Sequence, residues 1–155
     1  MIVDNNLLVS GSISGNTVTG QTVTGTGISV LSTNTIDLLQ ARDIGEGEDI
    51  SLRAEVVTAV VGATSIEIQA ITADDAALTT NVTVIGTTGA IPLASLTAGA
   101  RFVADLNPSI GSKGQRYLGA RYVIVGAGTA GAFVADFGLE TQDGQKFYPA
   151  GFAVL

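Results

Sequence analysis

Between Arg116 and Thr141 the chain reads RYLGARYVIVGAGTAGAFVADFGLET, and its apolar positions recur every second residue. Phe133, Ala135, Phe137 and Leu139 fall on one face, with Val134, Asp136, Gly138 and Glu140 on the other. Upstream, Leu118, Ala120, Tyr122 and Ile124 form an apolar face opposite Gly119 and Arg121. Successive strand side chains point to opposite sides, so this period predicts half-buried strands. The small residues of GAGTAG, Gly126–Gly131, then read as a turn, making the stretch a hairpin. Ile50–Val61 predicts a long strand, Gly62-Ala63 a turn, and Thr64–Thr72 a further strand with Ile66, Ile68 and Ala70 opposite Glu67 and Gln69.

Weaker patterns fill the rest. Ile2–Val9 reads as a first strand or an arm, Ser32–Leu38 as a strand, and Leu39–Arg42 as a single turn. Asn81–Ile85, Arg101–Leu106 and Phe147–Leu155 read as extended segments, and Ile91–Ala98 as an extended crossing with Pro92 near its start. Asp43–Asp49, Asp74-Asp75-Ala76, Ser109–Gln115 and Asp143-Gly144 read as loops or turns. In Gly11–Gly27 the tetrapeptide TVTG occurs twice, five residues apart. Threonine and valine favour strands and the glycines permit turns. This segment is an ordered hairpin, a flexible insertion, or an arm that pairs with a partner's sheet edge. Eight or nine short strands with frequent turns and no long helix predict an all-β domain: a β-sandwich, jelly roll or barrel.

Composition narrows the function classes. At 155 residues the chain suits one domain that buries about 70% of its unfolded surface. Seven basic against fourteen acidic residues give a net charge of −7, and the basic residues are scattered, which argues against nucleic-acid binding. No apolar run is long enough to predict a membrane span, and MIVDNN carries no secretory pattern, so cytoplasmic synthesis is expected. The absence of cysteine and histidine removes disulfides, thiolate metal sites, the usual zinc ligand and the usual general base.

The remaining chemistry is thin. GAGTAG matches a dinucleotide fingerprint, but the fingerprint must open a helix within a βαβ unit, and here alternation follows. Glu46, Glu48 and Asp49 lack calcium-loop spacing and read as a solvated acidic loop. Two carboxylates such as Asp74-Asp75 can serve glycoside hydrolysis when they flank a sugar, yet a turn is the plainer reading, since aspartates bond to nearby amides there. Asn81-Val82-Thr83 is a glycosylation sequon without a secretion signal. No catalytic, cofactor-binding or metal residue is therefore assigned. Arg42, Asp43, Arg116 and Tyr117 are the candidate contact residues: they either bond internally at loop ends or meet a partner protein.

Four stretches together, MIVD at the start, Ser32–Glu48 (STNTIDLLQARDIGEGE), Ala90–Ala100 (AIPLASLTAGA) and Gln115–Tyr122 (QRYLGARY), resemble the Bbp16-like capsid cement proteins of tailed bacteriophages. The resemblance implies a jelly-roll antiparallel β-sandwich without enzymatic activity or cofactor. It implies homo-oligomers, dimeric or trimeric, on the outer surface of the phage head, where they stabilise contacts between major capsid protein capsomers. Residues 1–31 would form an N-terminal strand or arm with a Thr/Gly-rich insertion, continuous with a sandwich over 32–155. Gly11–Gly27 departs from the family pattern and reads as that insertion. A β-sandwich adhesion module on a virion or cell surface is the alternative, although few aromatics are available for sugar stacking.

Overall fold

The computed structural model describes residues 6–15, 17–40, 50–106 and 115–139. Two long antiparallel strands dominate: β8 (Ile50–Ala73) and β11 (Tyr117–Leu139), paired from Tyr117 opposite Ala73 to Leu139 opposite Ile50. β9 (Thr83–Pro92) pairs with the second half of β8, and β10 (Arg101–Asp105) with the first half. On the other side of β11 lie β1 (Leu8–Ser10), β4 (Gln21–Thr22), β5 (Gly25–Thr26), β6 (Ser29–Leu31) and β7 (Ile36–Asp37). β2 (Ser12–Ser14) and β3 (Thr17–Thr19) pair only with each other.

The two turns expected at Gly62-Ala63 and at Gly126–Gly131 are not turns. Each lies inside an unbroken strand, so the expected hairpin over Arg116–Thr141 is one strand of 23 residues and the two segments of 50–72 are one strand of 24. Small residues are needed there for a different reason. Gly62 and Gly126 have φ of +83° and +88°, a region that costs side-chain-bearing residues energy. A Cβ on Gly62 would collide with the Ala127 carbonyl, and one on Gly126 would sit 2.8 Å from the Thr64 amide nitrogen. Gly126 faces Ala63 while Ala130 faces Val61, so β11 carries extra residues around a bulge. Bulges bend strands and let them pass from one sheet layer into another. No helix follows the glycines, which removes the dinucleotide reading.

The bend folds the ribbon over itself. One layer has the order β1, residues 130–139 of β11, residues 50–61 of β8, β10. The other has β6 and β7, residues 117–126 of β11, residues 63–73 of β8, β9. This is the strand order of a jelly-roll sandwich. The alternation read from the sequence supplies its core: Tyr122, Ile124, Ile66 and Ile68 of one layer face Phe133, Phe137, Leu52 and Val56 of the other, all fully or almost fully buried. The Tyr122 and Phe133 rings meet across the layers at 5.1 Å between centroids. Each large side chain buried this way contributes about 1.5–3 kcal/mol.

The Thr/Gly-rich segment is built into this sheet. β4 faces residues 132–133 of β11, β5 faces 127–128, β6 faces 121–123 and β7 faces 117–118: a single edge broken into four pieces that follow the bend. Ser10 faces Ala135 and Gln21 faces Phe133, so the β2–β3 hairpin is an excursion from an edge that resumes almost where it stopped. The Gln21 side chain fastens the bend, donating from Nε2 to the Leu31 carbonyl (2.6 Å) and accepting from the Thr33 amide (3.0 Å).

Candidate interaction surface

Of the four candidate contact residues, Arg116 and Tyr117 are brought together at the start of β11, while Arg42 and Asp43 lie outside the described residues. Arg116 donates from Nε and Nη2 to the two carboxylate oxygens of Asp37 on β7, both at 2.7 Å, and its guanidinium lies 5.1 Å from the Tyr117 ring centroid. The Leu39 amide also donates to Asp37, at 2.8 Å. The Arg116 donors hold the Asp37 carboxyl below its ordinary value, and Asp37 in turn raises Arg116. Arg116 thus bonds a carboxylate within the chain. The pair fixes the last piece of the broken edge to β11, and both partners remain partly open to solvent.

Asp74 and Asp75 are likewise occupied by structure. Asp75 accepts from the Thr79 amide and hydroxyl and from the Thr80 amide, which lowers its pKa, led by the Thr80 amide. A carboxyl held ionised in this way is unsuited to donate a proton near neutral pH. Asp74 accepts from Asn81 Nδ2 at 2.7 Å and from Gln115 Nε2 at 3.4 Å. Gln115 is itself buried, bonded to the Thr72 hydroxyl (2.6 Å) and the Asn81 carbonyl. Among the described residues no three acidic side chains converge as a metal site, and Glu46, Glu48 and Asp49 are outside them.

The sequence pattern missed the outer face of the first layer. Asp136, read as an outward polar position, is fully buried and paired with Arg53 of β8, whose Nε donates to Oδ1 at 3.3 Å and whose Nη2 reaches Oδ2. Burial raises the Asp136 pKa, and Arg53 opposes the rise. Beside this pair, Arg101 of β10 bonds Glu55 (3.1 Å) and the Ser51 hydroxyl bonds Asp105 (2.9 Å). Nothing in the sequence pattern singled out Arg53 and Asp136 from the other charged residues of β8 and β11, Glu55, Glu67 and Arg121. The β2–β3 hairpin leans over this face and leaves an open cleft of about 490 Å³, with Ile13 and Val18 on one wall, Val57 and Val134 on the other, and Glu55 and Arg101 at the rim.

A family model, Bbp16, matches residues 17–137. The chain belongs to the Bbp16 family. That family is phage-related, which makes this a phage-associated protein. The match begins at Thr17, inside the Thr/Gly-rich segment and at the first residue of β3. It spans β3 to β11 almost entire and includes both bent strands, leaving out the β1 edge strand of the jelly roll. No curated protein matches the chain.

Proposed function

We propose that this protein is a non-enzymatic capsid cement, or decoration, protein that binds the outside of a phage head and stabilises contacts between neighbouring major capsid protein capsomers. The observation that carries the reading is membership of the phage-related Bbp16 family across residues 17–137, from β3 into β11. Two features support it. The aspartates that looked available for catalysis, Asp74 and Asp75, are bonded within their own turn. The acidic net charge of −7 disfavours contact with the packaged genome.

Binding of this kind stabilises a shell by linkage: a protein that binds only the assembled lattice lowers the free energy of that state relative to free subunits. Many modest contacts around one shell add through multivalency. The test is copy number, measured by quantitative mass spectrometry of purified particles, with the heat resistance of particles lacking the protein as its companion. A fixed stoichiometric ratio to the major shell protein and a lower inactivation temperature without the protein are expected. Absence from particles, or unchanged heat resistance, would sink the proposal and leave the adhesion module to be tried on a glycan array.

A further inference from the structure

We propose that the β2–β3 hairpin is a hinged flap. It swings about Gly11 and Gly20 while the jelly roll stays folded, and so covers or uncovers an apolar strip on the outer face of the first layer. The proposal rests on how this hairpin is attached and does not depend on the capsid reading. Ser12 pairs with Thr19 and Ser14 with Thr17, and among the described residues neither strand pairs with anything else. Among the same residues, no hydrogen bond or ion pair ties β2 or β3 to the sheet. A two-stranded hairpin on its own is marginal in water. This one is held by its apolar side and by its two points of attachment.

Both points of attachment are glycine. Ser10 and Gln21 belong to the edge beside β11, so the chain leaves the sheet at Gly11 and returns at Gly20. Gly11 has φ +83°, and a Cβ there would sit 2.6 Å from the Thr19 carbonyl oxygen and 3.0 Å from a Val134 methyl. A Cβ on Gly20 would sit 3.0 Å from the Ala132 Cβ and 3.1 Å from the Val57 Cβ. The root of the hairpin thus rests directly on outward residues of β8 and β11, with no side chain of its own in between.

The two sides of this contact are unequally committed to it. β2 and β3 are largely exposed, Val18 at 49%, whereas Val134 beneath them is at 2%. Beyond the root the contact thins into the cleft, with Ile13 and Val18 above and Val57 and Val134 below. Few contacts must break for the flap to lift, and the ladder between β8 and β11 stays whole beneath it. Segments with little buried apolar contact open at far lower free energy than the whole fold. The lifted state presents Val57, Ala132 and Val134 to solvent beside the Arg101–Glu55 pair, so the protein changes its apolar surface without unfolding.

The experiment is thiol labelling, for which a chain without cysteine gives a silent background. Three single variants of the full chain are compared: Val134→Cys under the flap, Val56→Cys in the core, and Val61→Cys on the surface. The Val134→Cys thiol is expected to react at least about a hundredfold faster than the Val56→Cys thiol, and more slowly than the Val61→Cys thiol. Adding Gly20→Val presses a branched side chain against Ala132 and Val57, which lifts the root. Labelling of Val134→Cys should then rise by about tenfold while that of Val56→Cys stays the same. Equal rates at Val134→Cys and Val56→Cys would mean that only global unfolding uncovers the strip, and would overturn the proposal. A Gly20→Val chain that leaves the Val134→Cys rate unchanged, or that raises both rates together, overturns it as well.

Discussion

β11 has a different kind of neighbour on each of its two sides. On one side runs β8, continuous for 24 residues and in contact with it from end to end. On the other runs an edge broken into β1 and β4 to β7, none longer than three residues. Both neighbours must negotiate the same bend. β8 does so with Gly62 opposite the β11 bulge and with register shifts between Val56 and Ser65, and stays paired with β11 on both sides of them. The edge does so by letting go of β11 and taking hold again, with side chains such as Gln21 and Asp37 filling the gaps. A bend can thus be built by a special backbone conformation or by interruption, and only the first keeps the sheet's interior sealed.

Changes on the continuous side should therefore cost most. Asp136→Ala leaves the Arg53 charge in a site where its side chain is only 13% exposed, and a loss of about 3–5 kcal/mol is expected in chemical denaturation. A loss below 1 kcal/mol would mean that water reaches the pair and that the two sides of β11 are less different than described. Next comes Gly126→Val, which places a branched side chain at φ +88° against Thr64; about 2–4 kcal/mol should be lost. The same substitution at Gly27, φ +59° with open space around it, is the control on the broken side and should cost clearly less.

Tyr122→Phe tests the join between the two layers. It removes the hydroxyl that donates to Ser10 Oγ at 2.8 Å, with both residues fully buried, and should cost about 1–2 kcal/mol by leaving Ser10 unpaired. Burial, the larger influence, lifts the Tyr122 phenol far above its ordinary range against the Ser10 bond, so it stays protonated throughout. Replacing residues 11–20 by a single glycine should cost less still, up to about 1.5 kcal/mol, chiefly from uncovering Val134. Collapse of the fold in that variant would show that the hairpin is part of the edge rather than an excursion from it.

The mildest change is Arg116→Gln, which breaks an exposed pair and should lower the melting temperature slightly. Its sign with pH is fixed. The Asp37 pKa is lowered in the folded protein, so the stabilisation is complete above the ordinary value of 3.8 and disappears as pH falls through the folded value. The melting curves of the original and Arg116→Gln proteins should converge on acidification below pH 3.8. Divergence there would remove Asp37 as the partner that matters.

Much of this architecture is legible in the chain. The alternation around Tyr122 and Phe133 assigns the core faces correctly, and Asp74-Asp75 is the turn that its residues suggest. The bend was not legible, because a tight turn and a bulge both call for small residues at positive φ. Only the facing strand distinguishes them, and Gly62 is far from Gly126 along the chain. Arg116 was recognisable as a residue needing a carboxylate, yet its partner Asp37 lies 79 positions away. Asp136 misled for a related reason: period-two alternation says which residues share a face, not whether a second segment covers that face.

The continuity of β8 and β11 through the bend has a mechanical side. In a sandwich whose layers are joined only by loops, the layers can be peeled apart by defeating side-chain contacts alone. Here the same two covalent backbones run through both layers, so tension applied to one is carried into the other along the chain itself. A pull along the strand axis loads the whole ladder in shear, where many hydrogen bonds must yield together. A pull on the broken edge releases its pieces one after another. The protein is stiff along its long strands and compliant along its interrupted rim.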